Sequence, residues 1–333
     1  MKKTRCTLCY AVLAVCFALL LAVSVGTGSA ALSPHEILRI LLLREGAGTA
    51  AYNVLLKIRL PRVLAAAVMG GTLSVSGFLL QTFFRNPIAG PYVLGVSSGA
   101  KLAVGAVMIF GMKLWGRVPF GAVMTAAFVG AMLCASFVMI VSRKIHSMAM
   151  LLVVGMMIGN VCSAATDFFV TFAKESDIAN LTSWSMGSFS AVSWGNLRIC
   201  LAVIAVCLLL AKPIGAYQFG EHYAASMGVN VRRFRAALIG LSCLLAACVT
   251  ALVGPISFVG IAVPYMTKKL LGTAKPMAVL PGCFLLGGVF CMACDWIART
   301  AFSPTELAIS TVTAFFGAPV VIVMALKRGG GHR

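Results

Sequence analysis

The chain has 333 residues, of which 61% are hydrophobic and 11% charged, and a formal charge of +19; its mean hydropathy is +1.01. A water-soluble domain does not carry so little charge, so a polytopic membrane protein without a separate soluble domain is expected. The positive charge does not describe a nucleic-acid binder, because it sits in breaks between apolar runs: Lys2, Lys3 and Arg5; Arg143 and Lys144; Arg232, Arg233 and Arg235; Lys268, Lys269 and Lys275; Lys327, Arg328 and Arg333. Cationic loops of this kind stay on the inner side of a membrane. Glu36, Glu45, Glu175, Asp177, Asp295 and Glu306 fall in or beside the opposite set of breaks, and Glu221 alone joins the basic set.

In chain order, Cys6 to Val25 follow a basic start and form the first predicted span. Thr27-Gly28-Ser29-Ala30-Ala31 after it also reads as a signal-peptidase site, but the basic start favours a retained helix with its N-terminus inside. Leu32 to Lys57 form an outer segment with a short amphipathic helix around Pro34 to Leu43. Further spans are expected over about Leu60 to Phe84, Tyr92 to Gly111, Pro119 to Val141, Met148 to Val170 and Leu197 to Leu210, each near the length a bilayer requires. Between the last two, Trp184 and Trp194 flank a polar outer stretch, as interfacial aromatic anchors do.

Lys212 to Arg235 form the longest inner break. Glu221, Tyr223, Ala224, Ala225 and Met227 have helical spacing, and Gly228 stands where a helix would stop and turn. Two short helices meeting at Gly228 would make a knob, and more than twenty residues of amphipathic pattern argue for a partner rather than a simple turn. Then come a span over Ala236 to Val253, a short broken helix implied by Gly254, Pro255, Gly260 and Pro264, and spans over Met277 to Ala298 and Leu307 to Leu326. About ten spans result, with both termini inside.

No G-x-x-x-x-G-K-[ST] loop occurs, so the chain is not itself an ATPase, and neither H-E-x-x-H nor G-x-S-x-G appears. Of the twelve cysteines, most lie within apolar runs, where thiols behave as small hydrophobes. Cys6 and Cys9 have C-x-x-C spacing but no second pair to complete a metal site. Neither an enzyme nor a cofactor or metal site is expected. Asp167 is an acid inside a span; it reads either as a pore or ion site or, being close to the outer loop, as a group reaching the interface, and the second reading is preferred because no intramembrane partner of opposite charge is evident. Arg59, Arg62 and Arg299 place cations on the outer face, against the usual bias.

The ordered motifs RLPR, GxxLxxSGxxxQ and RNPxAxPxxLGxxSGA between Arg59 and Ala100, then WSMGSFSAVSW, GPISFVGIAVPYMTKK and ARTAFSPTELAISTVTAFFGAP, resemble the FecCD-type permease subunits of ABC importers for iron-siderophores, haem and cobalamin. Tyr265 stands where that family usually has histidine, Lys268 is near its usual arginine, and Ala308 and Ser310 replace a proline and a glycine. The resemblance implies an all-α permease of the type II importer fold, residues 1–333 forming one transmembrane domain with 212–235 as its coupling loop. It further implies a dimer with a second copy, two copies of a separate ATPase subunit docking on Glu221, Ala224, Ala225, Met227, Gly228 and Val229, and an extracytoplasmic binding protein whose acidic residues meet Arg59, Arg62 and Arg299. Met148 and Ala149 would lie near the inner gate, and transport would proceed by alternating access, most simply of a ferric siderophore, haem or cobalamin. An ion-gradient transporter is the alternative; it would need titratable groups at the midplane, where the sequence offers mainly Asp167.

Overall fold

The computed structural model describes residues 2–28, 32–43, 45, 47–115, 118–142, 144–145, 147–190, 192, 194–195, 211–218 and 221–329; the sixth predicted span, 197–210, and the charges at Arg117 and Arg143 lie outside them. The described residues form an all-α membrane fold with no strand. Seven of their helices are long and apolar enough to cross a membrane, and Val96–Gly111 is a shorter apolar helix.

The first helix, α1 (Lys2–Gly26), shows Leu8, Val12, Val15 and Leu19 to the outside. Ser33 opens α2 (Pro34–Leu38) with a reciprocal capping box to Glu36, whose carboxylate is held below its ordinary pKa range by the Ser33 backbone N–H and then its hydroxyl. A short α3 (Ala50–Asn53) and a π-type turn, Val54–Arg59, lead directly into α4 (Leu60–Phe84).

The fold is assembled around α4, in which every residue from Met69 to Phe84 is buried. Lipid is as apolar as leucine and gives helices no hydrophobic reason to associate, so close backbone approach and interhelical hydrogen bonds do that work. Small residues supply the approach. A Cβ on Gly70 would overlap the carbonyl oxygen of Gly287 in α13 (Pro276–Thr300), and one on Gly287 would meet that of Gly70. Gly77 lies against the backbone of Gly260 in α12 (Val259–Leu271) in the same way. Facing α11 (Val231–Val253), Ser76 Oγ donates to Ser242 O at 2.8 Å and Ser242 Oγ donates to Ser76 O at 2.7 Å, a buried reciprocal pair. Such bonds contribute about 0.6 kcal/mol each on average within a bilayer.

After α4 the chain turns through Arg85, which adopts the left-handed conformation at φ 47°, and a 3-10 turn at Pro91–Leu94. Gly95, at φ 71°, ends that turn, so α5 runs over Val96–Trp115 and not from Tyr92 as the hydropathy suggests. Its Gly99 packs backbone to backbone on Gly130 of α6 (Phe120–Val141). Next is α7 (Met148–Thr171), capped by Ser147. The polar outer stretch then contains a helix the sequence reading did not separate, α8 (Glu175–Met186), which turns into the bundle at Gly187 and buries Leu181.

Two short helices, α9 (Ala211–Gln218) and α10 (Glu221–Ser226), precede α11. Between α11 and α12 the chain is broken, as expected from its prolines, by Gly254 at φ 78° and Phe258 at φ 64°. Exposed carbonyls there find partners in neighbouring elements: Ser188 N donates to Val253 O at 2.8 Å, and Ser310 Oγ of α14 (Ile309–Gly329) donates to Pro255 O at 2.5 Å. Irregular backbone is stable at membrane depth only with such satisfaction.

Candidate functional site

Two regions at opposite ends of the bundle carry the residues singled out in the sequence. At one end, the three arginines converge on the mouths of α1, α4 and α13, and the side chain that organises them is Asp295. Arg62 Nε donates to Asp295 Oδ1 at 3.1 Å, and Arg299 Nε, one turn along from Asp295, donates to Oδ2 at 3.0 Å. Asp295 is 2% exposed, so burial of its charge is tolerated because two guanidinium groups face it. Arg62 also grips Glu306 with both terminal nitrogens, at 3.1 and 3.0 Å, while the Glu306 side chain stays about half exposed. The other donors of Arg299 reach the backbone oxygens of Thr27 and Ser24.

Arg59 differs from the other two. It is 5% exposed, and its Nη1 donates to Val25 O at 3.1 Å and to Gly26 O at 3.4 Å. It therefore caps the C-terminus of α1, where unsatisfied carbonyls favour a cation. Within the chain the three arginines thus have different partners: Arg59 serves α1, Arg62 and Arg299 share a buried carboxylate, and the Arg62–Glu306 pair reaches the rim. The pairing had one sequence signal, the i,i+4 spacing of Asp295 and Arg299. Because Glu306 is half exposed, Glu306→Ala should lower stability by less than about 1 kcal/mol, seen as a small shift in the thermal unfolding midpoint of the purified protein; a large drop would show that the rim pair and not Asp295 carries the cluster.

At the other end, α9 is anchored by Ile214 and Tyr217, both fully buried, with the Tyr217 ring 5.5 Å from that of Phe234 and under the guanidinium of Arg85 at 5.6 Å. From α10 the chain leaves through a Schellman turn: Val229 N donates to Ala224 O at 3.0 Å, and Gly228 N to Ala225 O at 3.0 Å. Gly228 sits at φ 82°, where a Cβ would meet no atom within 4 Å, so glycine is needed for the backbone angle and not for space. Asn230 Oδ1 then accepts from Arg233 N and starts α11 at Val231, five residues before the predicted Ala236. Gly228 thus joins a short helix to a long one, where the sequence reading expected two short ones. Ala224 is buried and Val229 half-buried, while Tyr223, Ala225 and Met227 are exposed, Met227 at 63%. The side chain of Glu221 lies outside the described residues.

The residues named in the sequence for a gate or pore are Met148, Ala149 and Asp167. Ala149 is exposed on the first turn of α7, the Met148 side chain lies outside the described residues, and Asp167 is exposed on the outer surface of α7 with its backbone oxygen accepting from Thr171 Oγ1 at 3.0 Å. Asp167 thus stands on an uncovered face of α7. Lys268 reaches Gln81 Oε1 at 3.4 Å and lies 5.0 Å over the ring of Phe78, and Tyr265 lines a cavity at the same end as α9.

A helical membrane bundle with a broken helix at depth, a structured knob at its basic end and a carboxylate–arginine cluster at the other defines a polytopic permease. The FecCD transport family matches residues 15–327, and the chain belongs to it. It is 33% identical over 317 residues to the hemin transport system permease protein HmuU of Yersinia pestis, covering 94% of this chain and 95% of that one. It is 34% identical over 276 residues to the vitamin B12 import system permease protein BtuC of Escherichia coli O157:H7, covering 82% and 83%. Among solved structures it resembles an inward-facing transporter described as of the metal-chelate ABC type, with a TM-score of 0.81, 26% identity and coverage of 98% and 100%.

Proposed function

We propose that this chain is the permease subunit of an ABC importer that carries a metal chelate inward across the cytoplasmic membrane by alternating access. The observation that supports this most is the exposed Tyr223–Met227 surface on a knob fixed at both ends, by Tyr217 under Arg85 and by the Gly228 turn, within a chain of the FecCD transport family. A surface so held can pass a push from outside to α4 and α11 instead of absorbing it.

In this reading the basic end, with both termini, is cytoplasmic, following the positive-inside bias. Two ATPase copies grip the knobs of two permease copies, and the uncovered faces of α7 and α14 meet across the translocation path. A binding protein delivers the chelate at the Arg62–Glu306 rim, with Arg59 and Arg299 positioning that rim from below. The relatives handle haem and vitamin B12, and ferric siderophores have the same general chemistry of a bulky chelated metal.

Co-expression of the tagged chain with its ATPase provides the test. Met227→Glu puts a charge on an exposed site and leaves the fold intact, so the purified amount of permease should be unchanged while the copurifying ATPase falls at least tenfold. The Gly228→Trp variant, which strains the turn itself, should behave likewise. Full ATPase recovery with both variants would remove the knob from the coupling role.

A further inference from the structure

The basic end contains a cavity of about 1050 Å³ between the inner ends of α4, α9, α12, α13 and α14. Five cations line it: Arg85, Lys268, Lys269, Lys275 and Lys327. No acidic side chain does, and among the described residues no carboxylate pairs with Arg85, Lys269, Lys275 or Lys327. The sequence has only eight acids, and the only one in the inner breaks is Glu221. Like charges gathered around one concavity repel one another, and an anion seated among them relieves that repulsion.

The shape of the site says which anion. Its floor reaches Gln81 and Thr82, a turn inside the end of α4 and both buried, and Met324 on its wall is 2% exposed. The ammonium group of Lys268 stands at that floor, 5.0 Å over the Phe78 ring and 3.4 Å from Gln81 Oε1. On the same wall, Lys275 and Pro276 stand at the start of the 25-residue helix α13, so the positive end of that helix's dipole adds to the charge of the lysines. The cavity therefore runs from a partly buried floor of Gln81, Thr82, Lys268 and Met324 to exposed lysines at its rim, a concave cationic site that fits phosphate oxygens better than a flat protein surface.

We infer that this cavity seats the headgroup of an anionic phospholipid of the cytoplasmic leaflet, its phosphates held by Lys268, Lys269, Lys275 and Lys327. Basic pockets between the cytoplasmic ends of transmembrane helices take such headgroups. The inference rests on the membrane orientation proposed above, but its test reads lipid and not transport, so the two can fail separately.

The full chain, purified in mild detergent and exposed to mixed micelles of phosphatidylcholine with cardiolipin, should retain cardiolipin in native mass spectrometry. Lys275→Gln and Lys327→Gln, both at exposed side chains, should each weaken retention about fivefold, the factor that one near-surface cation contributes. Three results overturn the assignment. Retention equal to the unaltered chain in the double variant removes the cavity from the interaction. An equal loss in Arg232→Gln/Arg233→Gln, on the same face but outside this cavity, means that general surface charge is being read. Inorganic phosphate or ATP displacing cardiolipin at low concentration, and raising the unfolding temperature as much without lipid, assigns the site to a soluble phosphate instead.

Discussion

Asp295→Ala should be among the most damaging single substitutions in the protein, costing about 3–5 kcal/mol, the range for removing one partner from a buried ion pair. Asp295 is 2% exposed and is the common acceptor for Arg62 and Arg299, so its loss leaves two mostly buried guanidinium groups facing each other. Arg62 would keep Glu306 and Arg299 would keep two backbone carbonyls, but both partners lie toward the rim or on α1 and neither fills the space between the arginines. Asp295→Asn keeps the shape and loses the charge, and should fall between the two. Fluorescence-detected size-exclusion after heating gives the ranking; an Asp295→Ala midpoint equal to that of the unaltered chain would mean that the cluster stores no stability.

Gly77→Ala should separate α4 from α12 and cost about 1–3 kcal/mol or more, as overpacking a tight interior does. The added carbon would sit inside the carbonyl group of Gly260, and backbone cannot move aside as a side chain can. Gly240→Ala is the matched control, because a Cβ there meets nothing within 4 Å. In the middle of α11 it should stabilise by about 0.5–1 kcal/mol through the lower entropy of alanine. The same heating assay should move the two variants in opposite directions. Movement of both in the same direction would mean that helix propensity, not contact, decides the outcome at Gly77.

These two sites also show what could be read before the structure. Gly70, Gly71, Ser74, Ser76 and Gly77 announce a helix that others approach closely, and α4 is that helix. The broken segment at Gly254 to Pro264 and the turn at Gly228 were legible because glycine and proline act locally, through backbone angles that few other residues adopt. The partners were not legible. Nothing in the spacing of Arg59 says that it caps a helix ending at Gly26, and the pairing of Arg62 with Asp295 joins residues 233 apart in sequence. Charge on a loop gives its side of the membrane; which opposite charge it meets depends on helix packing. The start of α11 was available, since Asn230 three residues before Arg233 is a helix N-cap pattern, but hydropathy counted from the last arginine and placed the start at Ala236. The α8 helix was hidden for a related reason: its sequence, ESDIANLTSWSM, is polar enough to pass for a loop when apolar runs are the only guide.

The exchange of hydrogen bonds between Ser76 and Ser242 acts as a key in a slot. Each hydroxyl bonds the other residue's carbonyl, so a slide of one helix along the other by even a single residue would break both bonds at once and strand two hydroxyls in a region without water. The pair fixes the register of α4 against α11. In the coupling proposed above, a push received at the turn before Asn230 would pass from α11 to α4 without slip, and any change of shape would fall to the helices that are not keyed to them.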